Sequence, residues 1–313
     1  MKIFLWPIPN FSLKLFFKYF FISVDHVEKY LESKYKNSYP VIVSSGRIAI
    51  KIAIFQINQG KSKKLKLFPY VSKCVKDVIV NDININDKNL NKEDIQIIYH
   101  HMGMIQDQPK SKYLIEDSVD IIVNYGENLH CLNGQIEIWS LEKMYGSIGG
   151  GVIWCKNIKI KNDIKKIIRN NFRKKNYIWV FKILSNYFKF LKNFSINMEK
   201  DNSSVPKWMA GNIYGKIIKH NHIYQHRKFK FNLVKDLLPE WYNLEENRLP
   251  PTVPLEPSKN ILEIAKKYNI ITENRHFELI QNNKSKFVKF FPMPIHEDIS
   301  ANQIISFIKE IKK

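Results

Sequence analysis

Three short apolar runs end, one after another, at residues that can carry chemistry, and this feature limits the chain's fold more than any other. Ile95-Gln96-Ile97-Ile98-Tyr99 leads into His100-His101-Met102-Gly103, and Tyr113-Leu114-Ile115 into Glu116-Asp117. Ile136-Glu137-Ile138-Trp139 leads into Ser140-Leu141-Glu142-Lys143. Short apolar runs bounded by polar or turn residues read as buried strands. A further pair of runs, Ile121-Ile122-Val123 and Gly151-Val152-Ile153-Trp154, follows Asp117 and the turn Gly149-Gly150-Gly151. Strands separated by helical or polar segments argue for an α/β sheet, which holds its ligands at the strand ends. Asp117 is then a carboxylate at the carboxyl edge of a buried strand. Lys143, entering a glycine turn soon after, can meet it over one small pocket.

The remaining sequence fills in this plan. Ser44-Ser45-Gly46-Arg47 is a turn, and Ile48 to Phe55 has the apolar face of a buried helix. Lys66-Leu67-Phe68-Pro69-Tyr70 reads as a short strand, Val75 to Val80 as a helix or strand, and Asp82 to Asp94 as a polar crossing. Helices are expected from Ile158 to Phe194, a loop over Asp201 to Pro206, and one long helix from Ile213 to Leu237. The prolines at 250, 251, 254 and 257 turn the chain into a C-terminal unit. That unit is expected to have a helix at Ile261–Tyr268, a strand ending near Phe290-Phe291-Pro292 and a final helix from Ser300 to Ile311. At 313 residues and 44% hydrophobic, the chain can bury a substantial core in one domain or two. The expected division is a large domain over 1–212, including a basic helical segment at about 158–200, and a unit over 213–313 with the long helix and a small domain.

The formal charge of +21 raises the question of nucleic-acid binding. The excess is nearly all lysine, scattered among asparagines and isoleucines as AT-rich coding produces, with no nucleic-acid motif beside it. No nucleic-acid partner is expected. A basic surface does attract anionic ligands, nucleotide-linked substrates and acidic lipid headgroups among them. The basic aromatic helices of 158–200 can pack on their own domain with lysines outward, or lie on an anionic membrane surface. Cys74, Cys131 and Cys155 form no C-x-x-C pair, so a reduced cytoplasm is expected and neither a disulfide framework nor a zinc site. Acidic and imidazole groups show no metal-ligand spacing along the chain, and no metal is expected. The apolar start, Met1 to Pro7, has neither a small-residue cleavage site nor a span long enough to cross a membrane.

A lysine facing a buried carboxylate is the pair that pyridoxal phosphate (PLP) needs. The amine condenses with its aldehyde, and the carboxylate keeps its ring nitrogen protonated. Ser45-Gly46-Arg47, opening a helix, offers free backbone amides and the positive end of the helix dipole to a phosphate. Gly46 lets the backbone come close; an ordinary capping turn with Ser45 as N-cap would present the same residues. Asp117 could equally cap a helix, and Lys143 could be one more surface lysine.

These parts together resemble the DegT/DnrJ/StrS-type PLP-dependent sugar aminotransferases. The resemblance runs from about Val41 to the C-terminus and is strongest between Ser44 and Cys155. Ser45 to Ile50 resembles the family's S-G-T-x-A-L, Ile98 to Gly103 its V-H-x-x-G strand end, and Leu114 to Ser118 its I-E-D-A. Gly134 to Gly151 is similar to G-D-x-x-x-x-S-x-x-K followed by G-G, and Phe291 to His296 to L-P-x-H.

The resemblance implies fold type I of the PLP-dependent transferases, aspartate aminotransferase-like, with a large mixed-sheet domain and a small C-terminal α+β domain. It implies Lys143 as the catalytic lysine. Asp117 would lie at the ring nitrogen, Ser45, Gly46, Arg47 and Ser140 around the phosphate, and His100 in the pocket wall. It implies transamination from an amino acid, glutamate in first place, to a keto group on a nucleotide-linked sugar, for surface polysaccharide or glycan synthesis. A homodimer is expected, because the family builds its sites between two subunits.

The chain departs from the pattern at Asp120, where the family has glutamine or histidine, and at Gln135, where it has aspartate. Its N-Y-R-M segment, whose asparagine reaches the partner's phosphate, has no counterpart except Asn212 in Lys207 to Asn212. Tyr70 is available as a ring-stacking residue. Two alternatives stand beside transamination: a PLP-binding relative with altered or lost catalysis, dehydratase-like or silent, and a basic protein that binds nucleic acid or a membrane surface.

Overall fold

The computed structural model describes residues 2–58, 65–66, 94–105, 111–172, 175–185, 188, 191, 202–245, 247–281 and 284–313. The chain opens with helices α1 (Leu13–Lys18) and α2 (Val24–Glu32), strand β1 (Tyr39–Val43) and helix α3 (Gly46–Ile57). Strands β2 (Leu65–Lys66), β3 (Ile95–Tyr99), β4 (Tyr113–Asp117), β5 (Ile122–Val123) and β6 (Ile136–Ser140) lead to helix α4 (Leu141–Tyr145) and strand β7 (Gly151–Cys155). Helices α5 (Ile158–Asn171), α6 (Ile178–Ser185), α7 (Lys207–Ile217) and α8 (His220–Val234) follow. The last elements are strands β8 (Arg248–Leu249) and β9 (Thr252–Leu255), helix α9 (Ile261–Lys267), strands β10 (Arg275–Gln281) and β11 (Lys284–Pro294), and helix α10 (Ala301–Ile311).

The main sheet has the order β1-β7-β6-β4-β3-β2. β7 runs antiparallel to both of its neighbours and the β6-β4-β3-β2 pairs are parallel, so the sheet is mixed. Side chains alternate between the faces of each strand, and this sorts the interior into two layers. Val41, Val43, Ile97, Ile115, Ile138 and Ile153 join the isoleucines of α3 and α5 on one face. Ile42, Trp139, Val152 and Trp154 join α2, α7 and α8 on the other. A sheet covered on both faces explains why its strands read as nearly continuous apolar runs. A third core lies between α9, α10 and the antiparallel β10-β11-β9 sheet, and Ile3 from the start of the chain belongs to it.

α5 settles how one basic segment packs. Ile160, Ile164 and Ile167 are buried on one face. Outside, Lys161 pairs with Glu32 at 2.7 Å and Lys165 with Glu28 at 2.7 Å. This helix lies on its own domain with lysines outward. The single helix expected over Ile213–Leu237 is in fact two, α7 and α8, parted at Ile218–Lys219. His220 is buried there, with Tyr125 stacked on its ring at 4.0 Å and Tyr145 Oη 2.8 Å from its Nδ1. No proline or glycine lies at the break, and these contacts fix the first residue of α8 in the core. The expected division between 212 and 213 falls inside α7. Sequence expectations for 67–93, Tyr70 among them, lie outside the described residues. No described helix is long and apolar enough to cross a membrane.

Candidate active site

Because β1, β6, β4 and β3 run the same way, their carboxyl ends meet along one edge of the sheet, where β7 begins. Ser45 caps α3, its Oγ accepting the Ile48 N–H at 3.3 Å. A helix start leaves its first amides without intrahelical acceptors, here that of Gly46 first, and half-buried Arg47 follows it. Gly46 packs closely: a Cβ would come 3.1 Å from Ser140 Cβ and 3.3 Å from Val119 Cγ1, so one of them would have to give way. Gly151 is more tightly constrained, since a Cβ would lie 2.4 Å from the Ser45 carbonyl. Backbone bonds from Gly150 N–H to Ser44 O (2.7 Å) and from Leu141 N–H to Gly150 O (3.0 Å) hold the turns together. Ser140 is buried and its hydroxyl makes no capping bond to α4. The buried Lys182 ammonium donates to Ser44 O at 3.3 Å, which adds positive charge behind the cradle.

Asp117 ends β4 on this edge. Its Oδ1 accepts the Val119 N–H at 3.2 Å. Burial pushes its carboxyl up to about 7, with Asp120 acting the same way and Lys143 opposing. Lys143 is half-buried in α4, and its Nζ sits 4.8 Å from the centroid of the Trp6 ring. Its charge is therefore felt at Asp117, and also at His101, which burial drives down to about 4. Tyr99 Oη donates to Asp120 Oδ2 at 2.6 Å, while Asp120 Oδ1 is buried without a partner. The Arg275 guanidinium carbon lies 5.8 Å from the Trp6 centroid on the same ring as Lys143, and its Nε is also buried without a partner.

The expected Lys143, Asp117, Ser45, Gly46, Arg47 and Ser140 thus gather along one edge. His100 does not join them. Its Nε2 lies 2.9 Å from Glu116 Oε2 and 3.4 Å from Cys131 Sγ. Glu116 and Asp117 are successive strand residues and point to opposite faces, so His100 belongs to the far face. Its neighbour His101 is the one within reach of Asp120 and Lys143. His100, Glu116 and Cys131 place their ligand atoms within 4.8 Å of one another, a grouping that linear spacing did not reveal. Glu116 also accepts from the Gly134 N–H at 2.7 Å and the Leu132 N–H at 3.1 Å, so its oxygens serve a hydrogen-bond knot. Asn212 is buried in α7 and donates to Ser12 O at 2.9 Å, anchoring the N-terminal segment.

Sequence reasoning missed Trp6 and Arg275. Both reach the edge from distant segments, and neither lies in a motif. The residues present fit PLP: a buried carboxylate with an elevated pKa awaits an N–H donor or cation. A glycine-lined helix start with an uncommitted serine awaits a phosphate, and a lysine lies near the carboxylate.

Residues 27–313 match the model of a protein family described as "Putative PLP-dependent aminotransferase". No curated protein matches the sequence. Among solved structures, a PLP-dependent aminotransferase of that same description from Bacillus cereus is similar over 100% of both chains, at 13% identity and a TM-score of 0.69. The sugar aminotransferase CalS13 from Micromonospora echinospora is similar over 98% of this chain and 99% of its own, at 9% identity and a TM-score of 0.67. PseC of Helicobacter pylori, an aminotransferase involved in the biosynthesis of pseudoaminic acid, is similar over 98% and 97%, at 9% identity and a TM-score of 0.66. At these identities the likeness is one of fold, and it is the fold type I architecture expected.

Proposed function

The chain belongs to the family of PLP-dependent aminotransferases, and on that premise we propose that it moves an amino group from an amino acid, glutamate in first place, to a keto group on a nucleotide-linked sugar. The proposal extends to a homodimer working in the cytoplasm, in surface polysaccharide or glycan synthesis. Two relatives of the same fold support the substrate class, one described as a sugar aminotransferase and the other as belonging to pseudoaminic acid biosynthesis. The excess of 50 Lys and Arg over 29 Asp and Glu also favours anionic, nucleotide-linked ligands.

One observation carries the reading: Asp117 and Ser140 end adjacent parallel strands on one edge of the sheet, with Lys143 in the helix that follows Ser140 and Gly46 packed against Ser140. When bound, PLP supplies an aldehyde carbon that takes up and releases the amino group and a ring that withdraws electrons from the reacting carbon. Lys143 would hold that aldehyde through its Nζ, and the same amine would carry a proton to and from the reacting carbons. Asp117 would accept the ring N–H, and such a donor would favour the ionised form that burial disfavours. The amide of Gly46 and the hydroxyls of Ser45 and Ser140 would hold the phosphate, with Arg47 beside them and the charge of Lys182 behind. Arg275, with its Nε unpartnered, is available for the carboxylate of the donor.

The test is a spectral titration of purified protein with PLP. The visible band of the lysine-linked cofactor should appear, be discharged by glutamate in a single turnover, and return on addition of a keto sugar nucleotide. A band that glutamate and other amino acids leave unchanged would overturn transamination. It would favour the second reading, a PLP-binding relative with altered or lost catalysis, for which Asp120 speaks. That carboxylate raises the Asp117 pKa from the position where the family has a neutral or basic side chain.

A further inference from the structure

Helix α1 turns its apolar side to solvent. Leu13 is 64% exposed, Phe17 73%, Phe20 46% and Phe21 95%. The rings form a continuous cluster: Phe16 lies 5.2 Å from both Phe17 and Phe20, and Phe20 lies 5.5 Å from Phe21. Scattered exposed apolar residues are ordinary, but a contiguous patch of large ones marks an interaction surface.

The helix is firmly seated, so the patch is no frayed end. Ser12 caps it through its Oγ, at 3.3 Å from the Leu15 N–H. Its inner side presses on α7 at two glycines. A Cβ on Gly211 would lie 2.1 Å from Tyr19 O, and one on Gly215 would lie 2.9 Å from Leu15 Cδ2. Asn212, between them, holds Ser12 O. With Leu15 and Tyr19 directed at α7, Phe17, Phe20 and Phe21 are left facing outward. Residues 13–21 also precede residue 27, where the family match begins.

We propose that Leu13, Phe17, Phe20 and Phe21, flanked by Lys14 and Lys18, form a docking surface for an anionic lipid bilayer. Charge decides between occupants. From Phe11 to Val24 the chain has two lysines and no acidic residue, on a protein of formal charge +21. A second copy meeting this face about a twofold axis would put four lysines at one apolar seam, with no acidic residue of the patch to pair them. An anionic bilayer meets both features at once: aromatic rings enter the boundary between headgroups and acyl chains, and lysines lie at the phosphates. The surface is independent of the reaction proposed above.

The test uses the intact protein in co-sedimentation with vesicles of phosphatidylcholine and phosphatidylglycerol, and with phosphatidylcholine alone. Binding is expected to the anionic vesicles only, to weaken with salt, and to fall about tenfold or more in a Phe17→Glu/Phe21→Glu double variant. A Lys14→Glu/Lys18→Glu variant should also lose binding, with thermal unfolding and the PLP spectrum unchanged in both. Equal binding to neutral vesicles, binding that survives either double variant, or none by the native chain overturns the proposal. So does a smaller assembly by light scattering in Phe17→Glu/Phe21→Glu, since the patch would then be an interface between copies.

Discussion

Glu116 and Asp117 are neighbours in the chain and opposites in the fold. Glu116 enters a closed knot, where His100, Cys131 and the amides of Leu132 and Gly134 all bond its oxygens. Burial acts to raise its pKa, yet the bonds from His100 and Cys131 keep it below the usual carboxylate range. Asp117 has one backbone amide, and burial holds its carboxyl at about 7. Buried polar groups are normally satisfied, so a structural carboxylate resembles Glu116. A carboxylate left short of partners beside Asp120 and Lys143 resembles one that completes its shell with a ligand.

The largest effect should separate chemistry from scaffold. Lys143→Ala should lower the glutamate half-reaction by about a thousandfold or more, as removal of the essential amine and proton carrier does. The lysine-linked band should vanish while the unfolding midpoint stays near that of the native chain. A half-reaction that survives would move the catalytic lysine elsewhere.

Next comes Asp117→Asn. In the PLP-free protein burial holds the folded-state pKa at about 7, against the 3.8 of a free aspartate, so folding favours proton uptake. The stability that Asp117 contributes is complete below the unfolded value and is lost as pH rises through about 7. The loss is on the order of 4 kcal/mol, and the asparagine variant should lack it. Urea unfolding of both proteins across that window would measure it. Parallel pH profiles would mean that Asp117 already has a partner in the unliganded protein. Glu116→Ala breaks the other half of the comparison and should act in the opposite sense. Four donors lose their acceptor, at a cost of roughly 3 kcal/mol in folding, with the PLP band retained in the protein that folds. Loss of the band without loss of stability would reverse the roles given to the two faces.

Much of this was legible in the sequence, for a physical reason. A sheet covered on both sides makes its strands apolar throughout, and its ligands lie at the strand ends, so Asp117, Ser140 and Lys143 directly follow runs that stand out. The same uniformity conceals which face a side chain takes. His100 and His101 follow an apolar strand, and only the turn at Met102, with φ at 51°, shows which of them reaches Asp120. The break between α7 and α8 has no proline or glycine to signal it, and the stacking of Tyr125 on His220 beside it joins residues 95 positions apart. Trp6 and Arg275 were invisible because no spacing relates them to Lys143.

Trp6 gives the smallest of these effects and the finest test of the open side. Its segment is tied down along its length: Ile3 to Asn269 and Ile271 by backbone bonds, Phe4 O to His296 Nε2 at 2.7 Å, Ile8 N–H to Asp298 at 2.7 Å, and Asn10 N–H to Gly146 O at 3.0 Å. The indole is thereby fixed over Lys143 and beside Arg275 by contacts that do not involve the site itself. A ring held over a cation contributes about 0.5–1 kcal/mol where water has access. The ring stabilises the ammonium that must lose its proton to condense with the aldehyde, so Trp6→Ala should tighten PLP binding by roughly two- to fivefold, with the band of the bound form unaltered, and Trp6→Phe should return most of the way to the native affinity. If the alanine variant binds PLP as tightly as the native chain, the ring merely covers the lysine, and the open side ends at Asp120 and Arg275.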